Sequence, residues 1–175
     1  MLNRIPVLWA LAICVTLAGT ALAERGDDAD RKSKNGRATA TVGGVEVVVE
    51  YGRPNANDRA IWGGLVPFGK VWRTGANEAT TISFSQNVMV EGAAVAAGTY
   101  ALFTLPSSDE CQILFNSKAD QWGAFDYDST LDVAAVTVPL APADFVETFT
   151  ITVGDDGVTL AWADRTATFG VSAAG

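Results

Sequence analysis

The stretch Phe145-Val146-Glu147-Thr148-Phe149-Thr150-Ile151-Thr152-Val153-Gly154-Asp155-Asp156-Gly157-Val158-Thr159-Leu160-Ala161-Trp162 decides the fold class. Phe149, Ile151 and Val153 alternate with Thr148, Thr150 and Thr152. A two-residue period puts the apolar set on one face of a strand and the hydroxyls on the other. The same residues wound as a helix would scatter around its circumference, so helix is excluded here. Gly154-Asp155-Asp156-Gly157 reads as a four-residue hairpin loop, and Val158, Leu160 and Trp162 point inward on the return strand.

Working outward, the same period recurs. Val45, Val47 and Val49 alternate with Glu46, Val48 and Glu50, and Ile82 with Phe84 marks a strand over 80–85. Short β-rich runs follow at 88–90, 99–105, 112–116 and 133–138, and a last one at 166–171 after a turn at Asp164-Arg165. No long segment carries a 3.6-residue period. About nine strands separated by frequent turns predict an all-β fold, an antiparallel β-sandwich of which the jelly roll is one form. A closed barrel is the alternative.

Residues 1–23 have the layout of an export signal. Arg4 gives a positive start, Ile5 to Ala18 is almost wholly apolar, and Ala21-Leu22-Ala23 is a small-x-small cleavage site. The run falls short of the about 20 residues a membrane-spanning helix needs. The expectation is therefore an exported chain, periplasmic or extracellular, with no stable membrane anchor after cleavage. Residues 24–37 are rich in Asp, Lys and Gly and read as a disordered leader. Residues 38–175 read as a single sandwich domain. Cleavage removes Cys14 and leaves Cys111 alone, so no intrachain disulfide can form, and Cys111 reads as a small core residue.

Composition narrows the chemistry. The chain has no histidine, which excludes Ser-His-Asp and Cys-His catalysis and removes the commonest zinc and copper ligand. No metal site or cofactor is expected. Asp126, Asp128 and Asp132 lack the Asp-x-Asp-x-Asp-Gly spacing of a calcium loop. A net charge of −8 argues against nucleic acid as partner. Composition leaves the oligomeric state open.

The candidate site lies between the strands, from Arg53 to Thr80. Arg53, Arg59, Lys70 and Arg73 crowd there with Trp62, Trp72, Asn77 and Glu78 among loop-forming Gly and Pro. Arg73 offers a five-donor fork suited to carboxylate or phosphate, and Asn77 both donates and accepts. A second aromatic loop, Ser117 to Asp132, carries Trp122, Phe125, Asp126 and Tyr127.

Tyr51-Gly52-Arg53-Pro54, Arg59, Leu65-Val66-Pro67-Phe68-Gly69, Trp72-Arg73-Thr74-Gly75-Ala76-Asn77-Glu78-Ala79-Thr80, Gly98-Thr99-Tyr100-Ala101-Leu102-Phe103 and Trp122-Gly123 together resemble the domain-of-unknown-function family 2911. The resemblance runs from about Thr39 to Val171. It implies exported bacterial proteins, mostly β, with no established activity. Trp62 stands where that family usually has Phe, which adds an indole donor.

Three functions follow as expectations. The first is a non-enzymatic binding module for a small polar or anionic ligand or a glycan, using Arg53, Arg59, Trp72, Arg73, Asn77, Glu78 and Trp122. The second is a glycoside-hydrolase-like enzyme working through Glu78 and Asp126, whose carboxyls would stand about 5–5.5 Å or about 6.5–9.5 Å apart. The third is a structural or assembly protein in which Arg59 or Arg73 pairs with Glu78 and staples the loop to the sandwich.

Overall fold

The computed structural model describes residues 25–175, so the export-signal reading of residues 1–23 lies outside the described residues. The deciding stretch is a hairpin of β9 (Ala141–Gly154) and β10 (Gly157–Phe169). Its loop is tighter than the four residues expected. Gly154 pairs with Gly157, leaving Asp155-Asp156 alone at the tip. The turn expected at Asp164-Arg165 is instead a bulged part of β10, with register shifts on both sides of Ala163, whose φ is 49°. A bulge bends a strand without ending it, which is why its polar residues read as a turn.

The other strands are β1 (Lys34–Val42), β2 (Val45–Arg53), β3 (Thr80–Phe84), β4 (Val88–Val90), β5 (Ala93–Val95), β6 (Gly98–Pro106), β7 (Glu110–Asn116), β8 (Asp132–Pro139) and β11 (Val171–Ala173). Six form one antiparallel sheet in the order β1-β2-β3-β6-β7-β8. The β9–β10 hairpin and a small β11-β4-β5 sheet pack against it, giving a sandwich-like, all-antiparallel β fold.

The predicted alternation accounts for the core. Val45, Val47, Val49, Ile82, Leu102, Ile113 and Phe115 from the large sheet meet Phe149, Ile151, Leu160, Trp162 and Phe169, and all are buried. Each such side chain contributes roughly 1.5–3 kcal/mol by leaving water. Tyr51 crosses the core with its hydroxyl satisfied: Ile151 N–H donates to it at 3.0 Å, and it donates to Ile151 O at 3.3 Å.

The opposite face of the large sheet is not bare. Ala79, Ala101, Phe103 and Leu114 form a second cluster, covered by Val71 from the central stretch and by Ala124 and Tyr127 from the aromatic loop. Both loops therefore lie over one end of the same sheet face.

The leader boundary needs correcting. β1 begins at Lys34, inside the segment read as disordered through Arg37, and residues 25–33 lie along the central stretch. Composition misread this strap because charge and hydrogen bonding hold it, with Ala29 its one apolar side chain.

Candidate functional site

The Trp72-Arg73-Thr74-Gly75-Ala76-Asn77-Glu78 run is shaped by backbone constraints. Trp72 exchanges both backbone bonds with Thr104 of β6, at 2.8 and 2.9 Å, which anchors the run to the sheet. Thr74 and Asn77 take left-handed φ values of 54° and 66°. Thr74 is fully buried, and its carbonyl accepts from the Thr80 hydroxyl at 2.6 Å. Gly52 and the Gly75-Ala76 backbone touch so closely that a Cβ on Gly52 would lie 2.2 Å from Ala76 O. Only hydrogen at that Cα allows the approach.

The tryptophans of the two loops divide between core and surface. Trp72 stacks on Trp162 with centroids 5.6 Å apart and meets Trp62 edge-on at 6.0 Å. Trp62 Nε1 donates to Trp162 O at 3.0 Å, so its indole donor has a partner. Trp122 stands out from the surface, 59% exposed. The second loop does lie beside the first. Gly123 N donates to Asn77 O at 3.1 Å, and Ala79 N donates to Gln121 O at 2.9 Å.

Glu78 has its partners, and they are not those expected. Arg31 binds it in a fork, Nη1 to Oε2 and Nη2 to Oε1, both at 2.5 Å. Arg25 Nη2 lies 3.3 Å from Oε2. The Arg31 hydrogen bonds lower the Glu78 carboxyl from 4.5 to about 2, with Arg25 assisting and partial burial opposing. Arg25 is itself a peg, its side chain only 8% exposed. Its guanidinium donates to the carbonyls of Ala76, Glu78, Ala79 and Glu50 and to Asn35 Oδ1. Asn77 Nδ2 donates to Ser33 O at 3.1 Å. Asn77 and Glu78 therefore fasten the strap. The staple foreseen in the sequence exists, but its arginines are Arg25 and Arg31, not Arg59 or Arg73.

That leaves Arg73 without a carboxylate partner among the described residues. It is partly buried, its Nε is enclosed with no hydrogen-bond partner among the described residues, and burial alone lowers its pKa. Its Nη1 lies 3.3 Å from where a Cβ on Gly123 would stand. Arg73 lines a surface cleft of about 400 Å³ together with Lys32, Arg59, Asn55, Asn57, Leu65, Trp72 and Trp162. The cleft holds three cations and no acidic side chain in its lining. Arg59 Nε and Nη2 close their own turn, donating to Ala56 O and Asn55 O at 2.9 and 2.6 Å.

Of the residues predicted to bind, Arg59, Trp72 and Arg73 line the cleft, while Arg53, Asn77, Glu78 and Trp122 do not. Arg53 lies along Gly36, its Cδ 2.7 Å from where a Cβ would stand there. Lys32, Ser33, Asn55 and Asn57 are polar lining residues absent from the predicted binding set. Lys32 sits in a segment of mixed charge with no hydrophobic period to flag it. The carboxylates proposed for hydrolysis fare differently from expectation. Both Glu78 oxygens already accept from Arg31, and Asp126 is exposed on the aromatic loop. Asp128 and Asp132 serve structure: Asp128 accepts from Thr130 N at 2.9 Å, and Asp132 accepts from Asn116 Nδ2 at 2.8 Å and from the Tyr127 hydroxyl.

Fold and site together define an antiparallel β-sandwich domain with a cationic surface cleft. The chain belongs to the family described as a protein of unknown function (DUF2911), which matches residues 33–171. No curated protein and no solved structure matches the chain. Arg25, Arg31 and Lys32 precede the matched segment, whereas Arg59, Arg73 and Glu78 lie within it.

Proposed function

We propose that this is an exported, non-enzymatic binding module whose cleft takes a small anionic ligand bearing a carboxylate or phosphate. The observation that carries the reading is Arg73, a partly buried guanidinium with an enclosed, unpartnered Nε in a cleft without acid. A buried charge normally has a partner, because desolvating it alone is costly. A ligand oxyanion supplies that partner, and the planar fork suits carboxylate and phosphate. The cleft's volume falls within the roughly 300–1,000 Å³ typical of small-molecule sites, and Trp72 and Leu65 give it apolar wall.

The hydrolase alternative is disfavoured by Glu78. A carboxyl lowered to about 2 is ionised at neutral pH, and one with both oxygens engaged is poorly placed to donate a proton.

A thermal-shift screen with organic acids, sugar acids, sugar phosphates and neutral sugars tests the reading. Anions are expected to raise Tm and their neutral counterparts not, with the gain lost in Arg73→Met. A gain from neutral sugars that persists in Arg73→Met would contradict it.

A further inference from the structure

The cleft is built from two pieces of chain that the Arg31–Glu78 contact brings together. Arg59 and Arg73 belong to the central stretch, and Lys32 and Ser33 to the strap. The strap is fastened by Arg25 on the carbonyls, Arg31 on Glu78 and Ser33 O on Asn77. It has almost no apolar anchorage, and segments held mainly by partly exposed polar contacts sit at the low end of local stability. Lys32 adjoins Arg31, so the strap that binds Glu78 also delivers a cation to the cleft.

Charge then selects the ligand. The strap's own Asp27, Asp28 and Asp30, and Asp58 of the turn, are absent from the cleft lining, so Lys32, Arg59 and Arg73 share it uncompensated. A singly charged anion would leave two of the three cations unmatched. Each added negative charge gains a further charge-assisted hydrogen bond.

We propose that a polyvalent oxyanion bridges Arg59 and Arg73 of the central stretch to Lys32 of the strap, so that occupying the cleft fastens the strap to the domain. This rests on the reading of the cleft as an anion site and adds to it the ligand's valence and a coupling. Coupling is reciprocal: whatever the ligand gains from the strap, strap docking gains from the ligand. Arg31 therefore acts as a positioning residue for binding although it does not line the cleft.

The test uses the full chain with citrate as the polyvalent probe and acetate as the monovalent one, followed by titration calorimetry and by hydrogen exchange at the amides of 26–33. Citrate is expected to slow exchange across the strap, whereas acetate leaves it unchanged. Lys32→Ala should weaken citrate about tenfold, the scale of one charge-assisted bond. Arg31→Ala should weaken it too, and both variants should lose more affinity for citrate than for acetate. The proposal is overturned if citrate binds and depends on Arg73 while strap exchange and the Lys32→Ala affinity stay as in the wild type; the anion site itself would survive that result. Equal affinity for citrate and acetate also overturns it. Binding of neither anion removes the site and the inference together.

Discussion

Arg73 and Glu78 stand in one short motif and meet opposite fates, and the difference is one of partners. Glu78 receives a forked Arg31 and a neighbouring Arg25, while Arg73 receives burial alone. Arg73→Met keeps the aliphatic stem and removes the unpaired charge. It should raise the stability of the unliganded protein by about 0.5–2 kcal/mol, measured by denaturant unfolding, as expected where a functional group is held at a cost to the fold. A loss of stability would mean that Arg73 is structural. Gly52→Ala should go the other way. Its Cβ would meet Ala76 O, and overpacking against backbone typically costs about 1–3 kcal/mol, read as a lower unfolding midpoint. The sequence displayed Arg73, Gly75 and Asn77 as one suggestive group. Only the backbone could separate them, since left-handed Asn77 and close-packed Gly52 and Gly75 answer to local geometry.

Among the elements, the strands were legible and the strap was not. The alternation at 149–153 and 45–49 tracks the face turned to the core, so β9 and β2 follow from the period. The bulge at Ala163 hid inside β10 because Asp164-Arg165 has the polarity of a turn. The strap lacks a period because it buries charge against carbonyls, and hydrogen bonding leaves no such pattern. Arg25→Ala would strand the carbonyls of Ala76, Glu78 and Ala79, and should destabilise more than Arg31→Ala. Roughly 2–3 kcal/mol is expected for Arg25→Ala from denaturant unfolding, with a smaller loss for Arg31→Ala. The Glu78 carboxyl falls from 4.5 to about 2 on folding, chiefly through Arg31. The stability it contributes is therefore complete above about pH 4.5 and disappears as pH falls toward 2. Glu78→Gln should flatten the pH dependence of stability in that window, and an unchanged slope would contradict the assignment.

For the whole molecule, stability rests on the sandwich core, with no disulfide among the described residues. Cys111 lies in that core, and burial pushes its thiol up to about 12. Its modification by a thiol reagent at pH 8 should therefore track global unfolding, as followed by mass spectrometry of its peptide. Rapid labelling of the native protein would show that the β7 end of the core opens locally. The same sheet that buries Cys111 on one face carries the central stretch and the aromatic loop on the other, above Phe103 and Leu114. That shared platform brings the loops together, and their adjacency, set by strand order β3-β6-β7, is absent from any local sequence pattern.

The anion cleft is tested most directly by calorimetric titration of citrate into the wild type and Arg73→Met. Saturable binding to the wild type, with a loss of at least about tenfold in the variant, is the predicted result. Equal affinity in both proteins, or no heat of binding in either, would contradict it.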